Sequence, residues 1–584
     1  MKTTNGIPPL TNEDLAAIFN LIADLLEIKG ENVFKIRAYR KAADSLLNLS
    51  RPAYEIWQEG DLTAIDGIGK AIDEKIGELF ETGKLDYLER LRKEVPLSLI
   101  EMLEIPGVGS KKVSLFWKEL GITSIAELKE AAEQGKLHEL PGMGKKTEAK
   151  ILNGIAALAR RSRRIPLGKA WSFAGELIEA LRTVPDVETI TPTGSLRRMK
   201  ETVGDIDLLA SSLQSEAVMQ AFTSHPLVSE ILGKGKTKSS VVFTNGLRAQ
   251  LWVHPPERFG TALQYATGSK EHNRHLRELA LSLGLSLSEY ALTRQDGTEI
   301  LCAREEDVYT HLGLPWIPPE LREDHGEIQA ALSNTLPRLI ETGDIRAELH
   351  SHSTWSDGKA SIRGMASAAI ARGLKVLAIT DHSRSLGVAK GLSLKDIEEQ
   401  RLEIDAVQQE LGDTIRLLHG IEVEILADGK LDYPDEILAG FDLVIASLHS
   451  GLRQPREQIT KRLLNAIANP HVDIIGHPTG RKIPDREPAD LDMERIFAAA
   501  AENHTALEIN AHPSRLDLKD IHARRAVECG VLLSIDTDAH SPEGLDVLPF
   551  GVATARRGWV EPQVVLNTWK TDKLLNWLKM PKTA

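Results

Sequence analysis

The stretch GSLRRMKETVGDIDLL (residues 194–209) contains a glycine–serine pair followed by two aspartates inside an apolar run. Asp205 and Asp207 lie two positions apart, so in a β-strand both carboxylates project from the same face. Adjacent carboxylates in an apolar setting repel each other, and a divalent cation is the usual reason for both to stay ionised. The stretch predicts a metal site on a strand, with Gly194 and Ser195 as nearby donors to phosphate.

Strand patterns flank this stretch on both sides. Between residues 185 and 255 they occur in VETITPTGSL (187–196), DIDLLAS (205–211), SSVVFTNG (239–246) and LRAQLWVHPP (247–256). Residues 261–320 mix helices with short strands, and the proline-rich LPWIPPELREDHG (314–326) predicts a domain border.

Before this region, amphipathic helical patterns alternate with a repeated glycine motif. The motif occurs in IDGIGKAIDEKI (65–76), IPGVGSKKVSLF (105–116) and LPGMGKKTEAKIL (140–152). A single Gly-x-Gly is often a plain turn. Three copies in the same apolar frame resemble helix-hairpin-helix motifs, in which amides at a helix start bind a DNA phosphate. The expected DNA contacts are Gly67, Gly69, Gly107, Gly109, Gly142 and Gly144.

From residue 345 onward, seven strand patterns alternate with helical ones, which predicts a parallel sheet closed into a barrel. Eleven of the 18 histidines lie from His350 onward. Six of the seven strands end in potential metal ligands: His350, His352, Asp357, His382, Glu422, His449, His477, Asp538 and His540. In a βα barrel the carboxyl ends of the strands meet at one rim, so nine ligands can share a pocket and hold two or three ions. Mixed histidine and carboxylate ligands suit Zn²⁺, Mn²⁺ or Fe²⁺.

The bulk composition is that of a multidomain globular protein. The chain has 584 residues, a net charge of −13 and two cysteines, Cys302 and Cys529, too few for a disulfide scaffold. No long apolar run occurs, so we expect no membrane association and a reducing, cytoplasmic, nucleoid-associated location. Charges are nearly balanced over residues 1–200, so the acidic total does not exclude DNA as a partner.

The barrel motifs H-x-H…D, TDH, GIEVE, SLHSG, GHP and DTDAH together resemble the PHP family of metal-dependent phosphoesterases. The resemblance implies a distorted (βα)7 barrel that cleaves phosphate esters, with all nine ligands matched. Arg453 and Arg481 could hold substrate phosphate, or could be ordinary surface arginines.

The first 320 residues resemble family X DNA polymerases through the hairpin motifs, GSLRRMKETVGDIDLL and YATGSKEHN (265–273). The resemblance implies a nucleotidyltransferase palm in which Asp205 and Asp207 hold Mg²⁺ or Mn²⁺. It also implies that deoxynucleoside triphosphates bind at Gly194, Ser195, Arg198, Tyr265, Gly268 and Asn273.

One catalytic position departs from the family pattern. Where the family places a third aspartate, in the strand before a Val-x-Pro-Pro segment, this chain has Gln250, and no acidic residue occurs from Gly233 to Pro256. An amide cannot carry negative charge or accept a proton at neutral pH. Two further departures are Trp252, where arginine is frequent, and Ala266, where an aromatic is. We therefore expect weak or absent templated synthesis.

A lyase function is a further possibility in the first hairpin region. Lys75 matches the position where some relatives carry a Schiff-base lysine, and Lys35 and Tyr39 match phosphate-binding positions. The alternative is a helix-surface lysine, because a nucleophile needs a depressed pKa that sequence does not reveal.

These patterns predict a multidomain chain. The expected order is a helical lyase-like DNA-binding domain (1–90), helix-hairpin-helix fingers (91–165), an α+β palm (166–260), a thumb (261–322), a linker (323–343) and the PHP barrel (344–576). We expect a monomer that acts on gapped, nicked or 3′-damaged DNA.

Three functions remain open from the sequence. The first is a repair enzyme with gap-filling polymerase and 3′-5′ exonuclease, AP endonuclease or 3′-phosphatase activities. The second is a nuclease whose polymerase half only binds DNA, and the third is a phosphatase for a small metabolite. The three hairpin motifs disfavour the third, because a small ester requires no duplex clamp.

Overall fold

A computed structural model describes residues 10–47, 53–60, 62–65, 67–105, 107–161, 164–580 and 582. The chain divides into two compact units, Met1–Arg163 and Arg164–Ala584. Within the described ranges, no helix combines the length and apolar character needed to cross a bilayer.

The first unit is helical and has a single apolar core. Its helices are α1 (Asn12–Lys29), α2 (Val33–Leu47), α3 (Ala53–Glu59), α4 (Lys70–Thr82), α5 (Asp86–Glu94), α6 (Ser110–Leu120), α7 (Ile125–Glu133) and α8 (Lys145–Arg161). The predicted helix-hairpin-helix character of this part of the chain is confirmed.

The second unit begins with a mixed sheet that carries the two aspartates. The elements are β1 (Ile165–Pro166), α9 (Leu167–Arg182), β2 (Thr189–Pro192), α10 (Gly194–Arg197), β3 (Thr202–Val203), β4 (Ile206–Ser211), α11 (Ser215–Thr223), β5 (Val228–Lys234), β6 (Lys238–Phe243) and β7 (Arg248–His254). Five of these strands form a sheet in the order β2-β4-β7-β6-β5, with β4 and β7 parallel. The strand expected over residues 187–196 ends at Pro192, because the chain turns at Gly194 into the short helix α10.

A smaller mixed region follows, and it packs around its own apolar cluster. It contains α12 (Phe259–Thr267), α13 (Lys270–Ser282), β8 (Leu285–Leu287), β9 (Leu292–Arg294), β10 (Glu299–Ile300), α14 (Glu305–His311) and α15 (Glu327–Leu332). Helix α15 lies within the expected linker, and Glu327 and Ala331 on it are buried, so this part of the segment packs against the domain.

The remaining residues form the predicted seven-stranded parallel barrel, which is confirmed. Its elements are β11 (Ala347–Glu348), α16 (Ile362–Ala371), β12 (Val376–Ile379), α17 (Leu394–Leu411), β13 (Arg416–Glu424), α18 (Asp435–Leu438), β14 (Leu443–Ser447), α19 (Arg456–Ile467), β15 (Ile474–Gly476), α20 (Met493–Glu502), β16 (Ala506–Asn510), α21 (Asp520–Glu528), β17 (Leu533–Asp536), α22 (Leu548–Arg557) and α23 (Thr571–Leu578). Strands β11 to β17 pair in chain order. The first and last strands meet at one bridge just beyond their ends, between Ser351 and Ala539, so the barrel is nearly closed.

Candidate functional site

Eight of the nine expected metal ligands come together at the rim of the barrel, in what we call the cage. They form three groups whose ligand atoms lie within 4.8 Å of one another: His352–Asp357–His382–His540, His350–His352–Asp538 and His382–Glu422–His449. His352 and His382 each belong to two groups, so the three groups adjoin. Contiguous nitrogen and oxygen ligands of this kind suit several divalent cations.

Two carboxylates of the cage carry buried negative charge. The side chain of Glu422 has no exposed area, and that of Asp538 is 8% exposed. Burial raises the pKa of both carboxyls, but the neighbouring charges, chiefly histidines, lower it more, and each net pKa lies well below its ordinary value. Both side chains are therefore ionised, and buried anions need cationic partners.

Two buried atoms in the cage point to what that partner is. Nε2 of His350 and Oε2 of Glu422 lie 3.5 Å apart, and neither makes a well-aligned hydrogen bond to a described residue, although Oε2 also lies 2.8 Å from Nδ1 of His382. A buried polar atom left without a partner costs about 1–3 kcal/mol. A nitrogen and an anionic oxygen directed at the same space fit a shared cation, so the residues present fit a metal centre.

Two glutamates that the sequence analysis missed orient the histidines of the cage. Oε1 of Glu508, on β16, lies 2.7 Å from Nδ1 of His350, and Oε2 of Glu424, on β13, lies 2.7 Å from Nδ1 of His449. A hydrogen bond at one ring nitrogen fixes the tautomer and leaves the other nitrogen free to bind a cation. The available signal was an acidic residue inside an otherwise apolar strand, as in ALEINAH and GIEVE.

The ninth expected ligand, His477, joins the cage indirectly. It belongs to none of the three groups, but its Nε2 lies 3.0 Å from Oε1 of Glu422. His477 and Asp538 have backbone φ angles of 27° and 54°, in the left-handed region that residues other than glycine rarely adopt. Asn510 donates from Nδ2 to Oδ2 of Asp538 at 3.1 Å. Strained backbone held in place by neighbours is typical of functional sites.

An arginine not expected from the sequence lies beside the cage. Nε of Arg515 is 3.5 Å from Oδ2 of Asp538, and its Nη1 is buried without a partner among the described residues. Arg481 instead donates to the backbone carbonyls of residues 515 and 516, and its Nη1 lies 2.7 Å from Glu201. Arg453 is exposed. Arg515 thus keeps a buried donor available next to the metal ligands, whereas the guanidinium of Arg481 is engaged by the chain itself.

In the five-stranded sheet, the glycine–serine turn lies directly against the second aspartate. Gly194 has a φ of 58°, and a Cβ atom at this position would collide with Oδ2 of Asp207. Burial and the charge of Asp205 raise the pKa of Asp207 to about 6, although Lys238 and Arg198 oppose the shift. The backbone therefore approaches this carboxylate as closely as only glycine allows.

Gln250 occupies the place beside the two aspartates. It pairs in register with Asp207 across β4 and β7, and its Nε2 donates to Oδ2 of Asp205 at 3.4 Å. On the neighbouring strand, Nζ of Lys238 lies 4.2 Å from the centre of the Trp252 ring. The third position thus contributes a neutral hydrogen-bond donor, where the family pattern would contribute a negative charge.

All six residues expected to bind nucleotide line one cavity of about 400 Å³, which we call the nucleotide cavity: Gly194, Ser195, Arg198, Tyr265, Gly268 and Asn273. Its volume lies in the range of small-molecule sites. Arg198 is held inside it by hydrogen bonds, from Nε to Glu323 at 2.9 Å and from Nη1 to the carbonyl of Thr267 at 2.5 Å. A phosphate would have to share or displace the Glu323 contact.

The three glycine motifs of the first unit adopt the same local structure. Gly67, Gly107 and Gly142 have φ angles of 92°, 80° and 74°. In each motif the amide of the residue after this glycine donates to the carbonyl of the residue two positions before the glycine. A Cβ atom at the second glycine of each motif would meet nothing within 4 Å. Each turn therefore presents the unpaired first amides of a helix to open space, as phosphate binding requires.

Tyr87 brings the expected lyase residues together. Nζ of Lys35 and Nζ of Lys75 each lie 5.3 Å from the centre of its ring, and the ring stacks on buried Tyr39 at 6.1 Å. Lys75 also donates to the carbonyl of Ala71 at 3.0 Å. The three expected residues thus meet around the ring of Tyr87.

Family models match four parts of the chain. They are a helix-hairpin-helix domain (residues 10–85), a SAM-like helix-hairpin-helix tandem (99–157), a DNA polymerase beta thumb (262–323) and a PHP domain (348–512). The DNA polymerase/3′-5′ exonuclease PolX of Bacillus subtilis (strain 168) is 42% identical over 558 residues, which cover 95% of this chain and 97% of the relative. The chain belongs to the PolX family.

Other relatives match a smaller part of the chain. A probable phosphatase of Thermoanaerobacter sp. (strain X514) is 33% identical over 251 residues, which are 40% of this chain and 95% of the relative. A probable phosphatase of Acetivibrio thermocellus is 32% identical over 208 residues, 33% of this chain and 78% of the relative. Part of this chain is therefore also similar to proteins named as probable phosphatases.

Proposed function

We propose that this chain is a DNA repair enzyme with two unequal catalytic centres. The barrel hydrolyses DNA from the 3′ end, and the five-stranded sheet supports gap-filling synthesis only weakly. The observation that carries the proposal is the contrast between the two sites. The cage surrounds the buried, ionised Glu422 and Asp538 with histidines, whereas the aspartate pair of the sheet has the neutral Gln250 as its neighbour.

The cage residues divide the work of phosphodiester hydrolysis. The three ligand groups would hold two or three Zn²⁺, Mn²⁺ or Fe²⁺ ions, which supply a water of lowered pKa and polarise the phosphate. Glu508 and Glu424 keep His350 and His449 in the tautomers that leave a ring nitrogen available. The free guanidinium N–H of Arg515 is placed to donate to a phosphate oxygen.

The same chemistry extends to AP endonuclease and 3′-phosphatase activity on damaged ends. All three reactions hydrolyse a phosphate ester of DNA, and they differ in the second group that is attached to the same phosphate. Relatives that match only part of the chain are named probable phosphatases, which supports a phosphomonoester as one substrate.

The polymerase centre retains the parts that bind nucleotide. Gly194, Ser195 and Arg198 line a cavity next to Asp207, where Mg²⁺ or Mn²⁺ and a deoxynucleoside triphosphate would bind. Gln250 cannot take the proton of an attacking hydroxyl and adds no charge to hold a second cation. The loss of one such group costs several kcal/mol in the transition state, hence orders of magnitude in rate.

The second candidate is a nuclease whose polymerase half only presents DNA. The hydrogen bond from Gln250 to Asp205 favours this second candidate, because the amide N–H occupies a carboxylate oxygen that would otherwise bind a cation. In either case the three glycine turns bind the phosphates of gapped, nicked or 3′-damaged DNA. In either case Lys75, beside Tyr87, is the candidate lyase nucleophile.

Primer extension and exonuclease assays on gapped DNA with Mg²⁺ or Mn²⁺ separate these candidates. We expect Gln250→Asp to raise extension by roughly 100-fold and to leave exonuclease unchanged, because it restores several kcal/mol at one centre only. A His350→Ala/His352→Ala double variant should lose exonuclease by a similar factor. Gln295→Asp, which adds the same charge in an exposed turn, is the control. Wild-type extension as fast as that of Gln250→Asp would refute the role given to position 250.

A further inference from the structure

A second, larger cavity lies within the unit that contains the sheet and the barrel. Its volume is about 550 Å³, and we call it the seam cavity. Six of its lining side chains are cationic: Arg164, Arg198, Lys200, Arg481, Lys519 and Arg557. The first three belong to the sheet region and the last three to the barrel, so the positive charge comes from both walls.

The acidic groups nearby neutralise only part of this charge. Glu201 pairs with Arg481 at 2.7 Å, and Asp520 pairs with Arg557 at 2.8 Å. Glu323 is shared among Arg198, Lys200 and Arg557. Three carboxylates thus face six cations.

Two of the six cations have no acidic partner among the described residues. Arg164 donates to the hydroxyl and the carbonyl of Thr202, and Lys519 forms no ion pair. Lys519 is the residue directly before α21. A concave surface with uncompensated positive charge attracts an anion.

The cavity shares lining residues with the nucleotide cavity, and on the barrel side it comes within one residue of the surroundings of the cage. Ser195 and Arg198 line it and also line the nucleotide cavity. On the barrel side, Leu516 lines it, and the preceding residue, Arg515, lies 3.5 Å from Asp538 of the cage.

The lining favours a phosphate backbone over a free nucleotide. Apart from His325, none of the residues that line the seam cavity is aromatic, so a base has at most one ring on which to stack. Guanidinium and ammonium groups along two facing walls instead suit successive phosphates.

We propose that the seam cavity binds the single-stranded 3′ end of DNA as it passes from the sheet region to the cage. The proposal rests on the proposed function, because it requires a nuclease that accepts 3′ ends. Its new content is a binding site for phosphodiesters outside both catalytic centres, formed chiefly by Arg164, Lys200 and Lys519.

The kinetic test uses the full-length chain with the double substitution Lys200→Gln/Lys519→Gln. The control is Lys375→Gln/Lys461→Gln, which removes two exposed lysines. Lys375 directly precedes β12, and Lys461 lies on α19. We expect KM for a single-stranded oligonucleotide to rise about 10-fold, and the salt slope of its binding to fall by roughly 1.4, at 0.7 per lost phosphate contact. Hydrolysis of bis(4-nitrophenyl) phosphate, which needs no strand, should stay unchanged.

Three kinetic outcomes overturn the proposal. The first is an oligonucleotide KM of the double variant within twofold of wild type. The second is an equal loss of activity on the small diester. The third is a double variant in which only the inhibition by inorganic pyrophosphate is changed. The last would make the cavity a site for small polyphosphates. A wild-type chain that hydrolyses neither substrate would refute the nuclease assignment instead.

A cross-linking experiment tests occupancy independently of catalysis. Oligonucleotides with 4-thiothymidine near the 3′ end are irradiated with the His350→Ala/His352→Ala variant, and the adducts are mapped by mass spectrometry. We expect adducts in the segments around Met199 and Leu516, and we expect Lys200→Gln/Lys519→Gln to reduce them severalfold. Adducts confined to other segments would exclude the seam cavity as the path.

Discussion

Glu422 shows how one carboxylate can join the three ligand groups of the cage. Its Oε2 lies 2.8 Å from Nδ1 of His382 and 3.5 Å from Nε2 of His350, and its Oε1 faces His449 at 3.4 Å and His477 at 3.0 Å. The two oxygens therefore face different histidines. Glu422 would help to hold the cations of the cage, and its charge is met by histidines on both oxygens, which explains why a fully buried glutamate is tolerated here.

At the residue scale, the first prediction concerns Glu508, which touches no cation position directly. Its Oε1 lies against Nδ1 of His350, and its Oε2 accepts from the amide of His477. We expect Glu508→Gln to weaken Mn²⁺ binding about 10- to 100-fold, because an amide has one oxygen for two N–H donors. Chelator competition and elemental analysis of the purified protein would measure this loss.

The matched control for that substitution is Glu457→Gln, which removes an exposed carboxylate that pairs with Arg495. It should leave the affinity for Mn²⁺ at its wild-type value. Equal affinities in wild type and Glu508→Gln would mean that the His350 tautomer does not depend on Glu508.

At the element scale, the segment between β16 and α21 connects the barrel to the sheet region. Leu516 packs in the core of the five-stranded sheet, Pro513 lies against Gly168 on α9, and Arg515 lies beside the cage. A displacement of this segment would therefore reach the phosphate-binding side of the metal centre.

Gly168→Ala tests this connection. A Cβ atom at Gly168 would lie 2.6 Å from Cβ of Pro513, so the segment must shift. We expect a loss of about 1–3 kcal/mol in stability from overpacking and a severalfold lower exonuclease kcat with unchanged metal content. Gly175→Ala on the same helix, where a Cβ atom meets nothing within 4 Å, is the control. Identical kinetics in both variants would show that the segment does not transmit the shift.

How much the sequence predicted depends on how strongly each element is patterned. The barrel strands are buried on both faces and bounded by helices, so their apolar runs predicted all seven. Strand β5 was missed because nearly all of it is exposed, including Ile231 and Leu232, so it has no alternating pattern and depends on pairing with β6.

The candidate sites show the same division. The metal ligands could be named from the sequence because barrel topology brings strand ends together. Arg515 could not, since its place depends on how one loop packs against α9. Glu508 was missed because its role comes from a hydrogen bond between β16 and the end of β11, which are not adjacent in the sheet, and not from a motif.

At the scale of the whole second unit, Glu323 links three regions. It bonds Arg198 and Lys200 of the sheet region and Arg557 of the barrel. Glu323 itself is the last residue that the thumb family model matches. Burial raises the pKa of Glu323, but the three cations lower it by more, and the net pKa is about 2. The expected nucleotide ligand Arg198 and the barrel therefore compete for one carboxylate.

The pH dependence of unfolding tests this link. Because the folded pKa of Glu323 is depressed from 4.5 to about 2, its contribution is present above pH 4.5 and is lost as the pH falls toward 2. At pH 7 a shift of this size corresponds to about 3 kcal/mol. We expect Glu323→Gln to lower the free energy of unfolding of the second unit by about that amount at pH 7, and the difference from wild type to shrink between pH 4.5 and pH 2. Denaturant titrations at a series of pH values, with the exposed Glu457→Gln as the flat control, would measure it. A difference that stays constant over this range would mean that the three cations do not hold Glu323 in its charged form.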